Sequence, residues 1–204
     1  MPKLKSLNLS ECSGIDTAVS FSAIGKSCPD LDTLILRRLD RTVKEATRGE
    51  LAKSFPKLRV LDLAYSSGIS SHQLLDELGS CCPLLEELYV QGGLNLGFPT
   101  SVVLNCKNLV ALDVRRMPNN DDKDIKLLIE HAGPRLRYFG VGDRSYITYP
   151  ALKELVESCP KLEVLNMSRM KSVPETWDPL PLHKKKGNPF IVSLFLTCLL
   201  TNLM

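Results

Sequence analysis

Seven times along this chain a leucine opens the pattern L-x-x-Φ-x-Φ, with Φ apolar. The anchors are Leu4, Leu31, Leu58, Leu85, Leu109, Leu136 and Leu162, spaced by 27, 27, 27, 24, 27 and 26 residues. The phrases read LKSLNL, LDTLIL, LRVLDL, LEELYV, LVALDV, LRYFGV and LEVLNM. A near-constant period restricts the chain to a stack of equivalent units, because one unit alone cannot bury its apolar face.

The residues between anchors repeat as well. Seven positions before each later anchor stand Ile24, Leu51, Leu78, Val102, Ile129 and Leu155, all aliphatic. Four residues further on come Cys28, Phe55, Cys82, Cys106, Gly133 and Cys159. Positions i and i+4 share a helix face, so these two columns form one inward stripe. Next come Pro29, Pro56, Pro83, Pro134 and Pro160, with Lys107 as the exception. Proline disfavours helix in the residue before it, so it stops each helix just ahead of the next strand. The cysteine before it reads as a small apolar plug.

Each unit is therefore a short strand, a loop, a helix and a return, stacked into an α/β solenoid: a parallel concave sheet backed by convex helices. The first, fourth and sixth positions turn toward the helices. The spacing predicts clear helices over 122–133 and 149–159, starting near Asp121 and Thr148. The fourth unit is shorter and holds Pro99 and the run GGLNLG, which predicts a shortened helix or a single turn.

Over residues 4 to about 170 the chain resembles the leucine-rich-repeat family, specifically the cysteine-containing class typical of F-box/leucine-rich-repeat proteins. The length near 26 and the helix-terminal Cys-Pro carry that resemblance. A second cysteine frequent in that class is present after the first strand as Cys12, whereas the matching positions hold Leu39, Ser66, Gly93, Met117, Arg144 and Met170. The resemblance implies a protein-interaction module, the substrate-recognition part of a ubiquitin ligase. It also implies an upstream F-box that docks a Skp-type adaptor. With the first repeat opening at Leu4, no F-box precedes it here, and the chain is expected not to bind that adaptor by itself. A fragment, a truncated isoform and a repeat protein capped by a partner are the readings left open. A scaffold or adaptor unrelated to ubiquitin is the alternative function.

The C-terminal stretch leaves the pattern. Residues 1–170 read as solenoid and 171–189, with four prolines and Lys184, Lys185 and Lys186, as a linker. Residues 190–204 carry no charge. As a helix they would span about 23 Å, short of the ~30 Å hydrocarbon layer. A helix capping the open end of the solenoid, a tail anchor to a membrane and a tail without an evolved role are all open.

Other classes of function find little here. The net charge of +3 is too small to imply nucleic acid without a concentrated basic face. No apolar leader opens the chain. Seven cysteines without one favour reduced thiols, hence cytoplasm or nucleus. His72, His131 and His183 stand in no metal-ligand spacing, and no phosphate-binding loop or nucleophile elbow occurs. No enzyme activity, cofactor or metal is expected.

Strand alternation turns the third, fifth and seventh positions of each repeat to the concave side. Those columns, with the loop residues after them, supply the candidate partner-binding set: Arg37, Arg38, Asp62, Tyr89, Gln91, Asp113, Arg115, Arg116 and Tyr138. Tyr and Arg are favoured interface anchors. Seven strands give a sheet about 29 Å by 16 Å. That is on the order of 460 Å², below the ~800 Å² per partner of a standard interface, so the loops must contribute. Two Arg pairs about 14 Å apart are expected to grip an acidic or phosphorylated segment.

Overall fold

Strands and helices alternate along the chain: β1 (Ser6–Asn8), α1 (Thr17–Ser27), β2 (Thr33–Ile35), α2 (Glu45–Ser54), β3 (Val60–Asp62), α3 (His72–Cys81), β4 (Glu87–Tyr89), α4 (Thr100–Asn105), β5 (Ala111–Asp113), α5 (Asp122–Ala132), β6 (Tyr138–Gly142), α6 (Tyr149–Ser158), β7 (Val164–Ser168) and β8 (Ile191–Ser193). The computed structural model describes residues 3–12, 17–39, 45–66, 68, 70–93, 96–142, 145–170, 173 and 191–193. All the strands lie parallel in one sheet, in the order of the sequence. Pairing follows the repeat without slippage: Ser6, Thr33, Val60, Glu87, Ala111, Tyr138 and Val164 are successive partners. The architecture is a leucine-rich-repeat solenoid.

The apolar positions drive the stacking. Leu34, Leu61, Leu88, Leu112, Phe139 and Leu165 are fully buried, as are the anchors from Leu58 to Leu162. Of the helix column, Leu51, Leu78, Val102 and Leu155 are fully buried, while Ile24 and Ile129 are packed on the core and partly exposed. The plug column is buried throughout. Its thiols do more than fill space. Cys82 Sγ lies 3.5 Å from the carbonyl oxygens of Ala52 and Phe55, and Cys106 Sγ lies 3.4 Å from that of Cys82. Each S–H thus ties a helix end to the repeat before it. Burial pushes the Cys82 thiol up to about 12 and the Cys106 thiol up to about 11.

The helix starts near Asp121 and Thr148 are observed as helix caps. Asp121 accepts from the Lys123 amide at 2.8 Å, and Asp124 accepts from the Asp121 amide at 2.9 Å. The fourth unit has a six-residue helix, as its length and Pro99 imply.

The tail differs from a helix where it is described. Residues 191–193 form a strand paired to β7, with Val164 opposite Ile191, Leu165 opposite Val192 and Asn166 opposite Ser193. Val164 to Ile191 is again 27 residues. Adjacent β-branched Ile191 and Val192 favour extended backbone, and the edge of β7 offers them unpaired backbone groups. The proposed linker, apart from residue 173, and the rest of the tail lie outside the described residues. Among the described residues no helix is long and apolar enough to cross a membrane.

Candidate partner-binding face

The geometry of the concave face begins with the turn after each strand. The eighth residue of the repeat takes a left-handed backbone: Glu11, Arg38, Tyr65, Gly92, Arg116 and Arg169 all have positive φ, between 52° and 83°. That twist keeps the parallel ladder going beyond the three-residue strands. Glu11, Arg38, Tyr65 and Gly92 donate backbone N–H to the carbonyls of Arg37, Ala64, Gln91 and Arg115, at 2.8–3.0 Å. The seventh residue then has an amide outside the ladder, and a buried amide must find an acceptor. In the first, third and fifth repeats that acceptor is the side chain two residues back. Ser10 donates to Asn8 at 2.9 Å, Ala64 to Asp62 at 3.0 Å and Arg115 to Asp113 at 3.1 Å. In the second repeat, where Ile35 has no such group, the Arg37 amide uses Ser10 Oγ at 3.2 Å.

This requirement explains why two carboxylates sit on the concave face almost without exposure, Asp62 at 2% and Asp113 at 1%. A buried carboxylate needs a countercharge, and the two arginines supply it. Arg37 Nε donates to Asp62 at 2.5 Å. Arg115 donates from Nε at 2.9 and 3.0 Å and from a terminal nitrogen at 2.7 Å to Asp113, and also hydrogen-bonds Gln91. Burial alone would lower the Arg115 pKa, but its bonds to Asp113 and that group's charge raise it overall. Gly140 leaves room for the Asp113 carboxylate, since a Cβ there would stand 2.6 Å from it.

Aromatic groups complete the centre of the face. Tyr138 donates to Asp113 at 3.0 Å and Tyr89 to Glu87 at 2.8 Å, with their rings 6.0 Å apart. Burial, then the acceptor carboxylates, push both phenols well above their ordinary pKa, so both stay protonated.

The two rims differ in charge. Along the lower rim the second residues of successive repeats pair off: Lys5 with Asp32 at 4.0 Å, Arg59 with Glu86 at 3.4 Å and Arg137 with Glu163 at 2.9 Å. The upper rim, built from seventh and eighth residues, is cationic. Arg38 pairs with Glu11 at 3.1 Å, both 67% exposed. The Arg116 guanidinium lies 5.9 Å above the Tyr65 ring. It reaches two strands across because Gly92, between them, has no side chain; a Cβ there would stand 2.7 Å from the Tyr65 ring. A depression of about 450 Å³ lies on this side, with Ile35 and Ala64 among its lining and Arg37, Arg38, Tyr65 and Gln91 around it.

The sequence-predicted residues therefore fall into connected groups. Arg37 sits on Asp62; Gln91, Arg115, Asp113 and Tyr138 form one network with Tyr89 beside it; Arg38 and Arg116 stand on the upper rim. Arg37 and Arg115 hold buried carboxylates, which separates them from Arg38, whose Glu11 partner is exposed, and from Arg116. Sequence reasoning missed Tyr65, Glu11 and Gly92. Their signal was the eighth column, one step beyond the alternation used to choose the face. Among the described residues no group of His, Cys, Asp and Glu could hold a metal ion, and six cysteines are free thiols.

No family model matches the chain, and no curated protein sequence matches it. Solved structures do. An internalin C2 from Listeria monocytogenes superposes with a TM-score of 0.58 at 17% identity, over 95% of this chain and 72% of that one. An internalin (InlF) from the same organism gives 0.56 at 14% identity, over 97% of this chain and 62% of that one. What this chain shares with both is the fold, a leucine-rich-repeat solenoid.

Proposed function

We propose that the chain is a protein-interaction module that reads its partner on the concave face and the loops of the upper rim. The observation that carries this is the division of charge. The lower rim neutralises itself pair by pair, and the central carboxylates are committed to Arg37 and Arg115. The upper rim keeps exposed Arg38, Arg116 and Tyr65 on a fixed backbone. Rigid aromatic and arginine side chains on an ordered support lose little entropy on binding. The nine residues chosen from sequence form this face with Tyr65 added.

In finer terms, we assign the module to substrate recognition for an F-box-type ubiquitin ligase. What supports this is the Cys-Pro helix ending with its buried cysteine, the mark of the cysteine-containing repeats that the sequence resembles. An adaptor unconnected with ubiquitin is the competing reading. Affinity capture from cells separates them. Partners that are lost in an Arg38→Glu, Arg116→Glu variant and that accumulate when cullin ligases are inhibited support the ligase reading. Partners lost in the same variant, with unchanged levels and no ligase subunit alongside, establish the adaptor.

A further inference from the structure

In the second and fifth repeats Arg38 and Arg116 are available to an incoming anion, Arg37 and Arg115 being seated on buried carboxylates; Arg169, exposed at the same position of the seventh repeat, lies two strands beyond Arg116. Arg116 meets no carboxylate among the described residues and rests on Tyr65. Arg38 meets only Glu11, and a pair of two exposed side chains is worth ~0–1 kcal/mol and readily exchanges. The two arginines leave the backbone at the same position in the second and fifth repeats, three strand spacings or about 14 Å apart, and an anion takes up the Arg116 fork by drawing it off the Tyr65 ring. Between these backbone positions lie the Tyr65 ring and the backbone of Gly92, and the depression that Arg38 itself lines reaches from Glu11 past Ile35 and Ala64 to Gln91.

We propose that this rim binds an extended acidic peptide running across the strands, with carboxylates four residues apart. An extended chain advances about 3.3 Å per residue, so residues i and i+4 span about 13 Å and point to the same side. One carboxylate meets the Arg38 fork and the other the Arg116 fork, each in paired hydrogen bonds. Residue i+2, on that same side, lies over Tyr65 and the depression and is apolar. A phosphorylated segment suits the site less well. A phosphate dianion is best held by several cations around one group, whereas here Arg38 and Arg116 leave the backbone about 14 Å apart. The inference rests on the reading of this face as protein-binding.

The test uses the full chain and a labelled eleven-residue Ala/Gly/Ser peptide carrying Glu at positions 4 and 8 and Val at position 6, titrated by fluorescence anisotropy. Saturable binding is expected, about fivefold or more weaker when the second Glu is moved to position 6, and weaker with added salt. Arg38→Ala with Arg116→Ala is expected to weaken it about tenfold or more. Glu11→Gln, which releases Arg38 and removes a competing carboxylate, is expected to tighten it about two- to threefold. Circular dichroism confirms that each variant is folded. Absence of saturable binding overturns the inference, and so does binding indifferent to spacing or to the double variant. Tighter binding of the phosphoserine version, or of a twelve-nucleotide single-stranded RNA, also overturns it. If a cellular partner crosslinks to the concave face yet ignores the double variant, the peptide inference falls and the protein-binding reading stands. Crosslinks confined to the convex helices would overturn both.

Discussion

Asn120 shows how a single residue can oppose the pattern around it. Its column, the twelfth position of the repeat, otherwise reads Ile15, Thr42, Ile69, Leu96, Ile147 and Val173. Leu96 and Ile147 are buried, and Asn120 is fully buried with neither amide atom partnered among the described residues. An unpaired buried amide costs ~1–3 kcal/mol. Asn120→Leu, close in shape, is therefore expected to stabilise the chain by about 1–2 kcal/mol, raising the melting midpoint by about 2–4 °C per kcal/mol. An unchanged or lowered midpoint in thermal unfolding contradicts that. The concave carboxylates should rank in the opposite sense. Asp113 accepts from the Arg115 side chain and amide and from Tyr138, while Asp62 serves Arg37 and the Ala64 amide. Asp113→Ala should thus cost more than Asp62→Ala, by about 1 kcal/mol, measured by urea unfolding. Sequence alternation placed both residues on the concave face, but it could not show that a turn amide and an arginine hold each one under cover. Such commitments depend on which backbone groups the ladder leaves over, and that emerges only when neighbouring repeats are stacked.

At the scale of the element, the strands, helices and breaks were legible because they repeat. A proline at one fixed place in five returns, and an aliphatic residue seven before each later anchor, fixed helix ends and inward faces almost to the residue. The eighth strand escaped because Pro189 stands where the anchor leucine would be, 27 residues after Leu162, so a search for leucine passes over it. The helix column makes a direct prediction: Leu78, fully buried, should cost ~2–5 kcal/mol on replacement by alanine, while Lys153→Ala on the exposed face of α6 should be within about 0.5 kcal/mol of neutral. The plug column makes another. Cys82 and Cys106 are held above the ordinary thiol value of 9.0 by burial, whereas Cys12 is exposed. At pH 8 a short pulse of iodoacetamide should modify Cys12 and spare both plugs. Because their folded values are raised, the stability they contribute is complete below about pH 9 and is lost as pH climbs toward 11 and 12. Rapid native-state alkylation of Cys82 would contradict its place between the repeats.

For the whole molecule, stability is a sum of units and the interfaces between neighbours, so function must come from a surface that many repeats share. Two such surfaces are the rims, and their contrast in charge was hidden from the sequence. The lower-rim lysines, arginines and acids look like scattered surface charges until register pairs them across strands 27 or so residues apart. The upper-rim arginines look like two equivalent pairs until burial commits one of each pair to a carboxylate. Convex residues offer the natural comparison, since Lys126 and Lys153 are exposed on α5 and α6 and far around the coil from the sheet. The most direct measurement is the affinity of a captured cellular partner for two charge-reversed chains, Arg38→Glu with Arg116→Glu and Lys126→Glu with Lys153→Glu, both shown to melt like the wild type. Loss of binding by tenfold or more, about 1.4 kcal/mol, in the first chain alone is the predicted result. Full binding by the first chain and loss in the second would contradict it and move the partner to the helices.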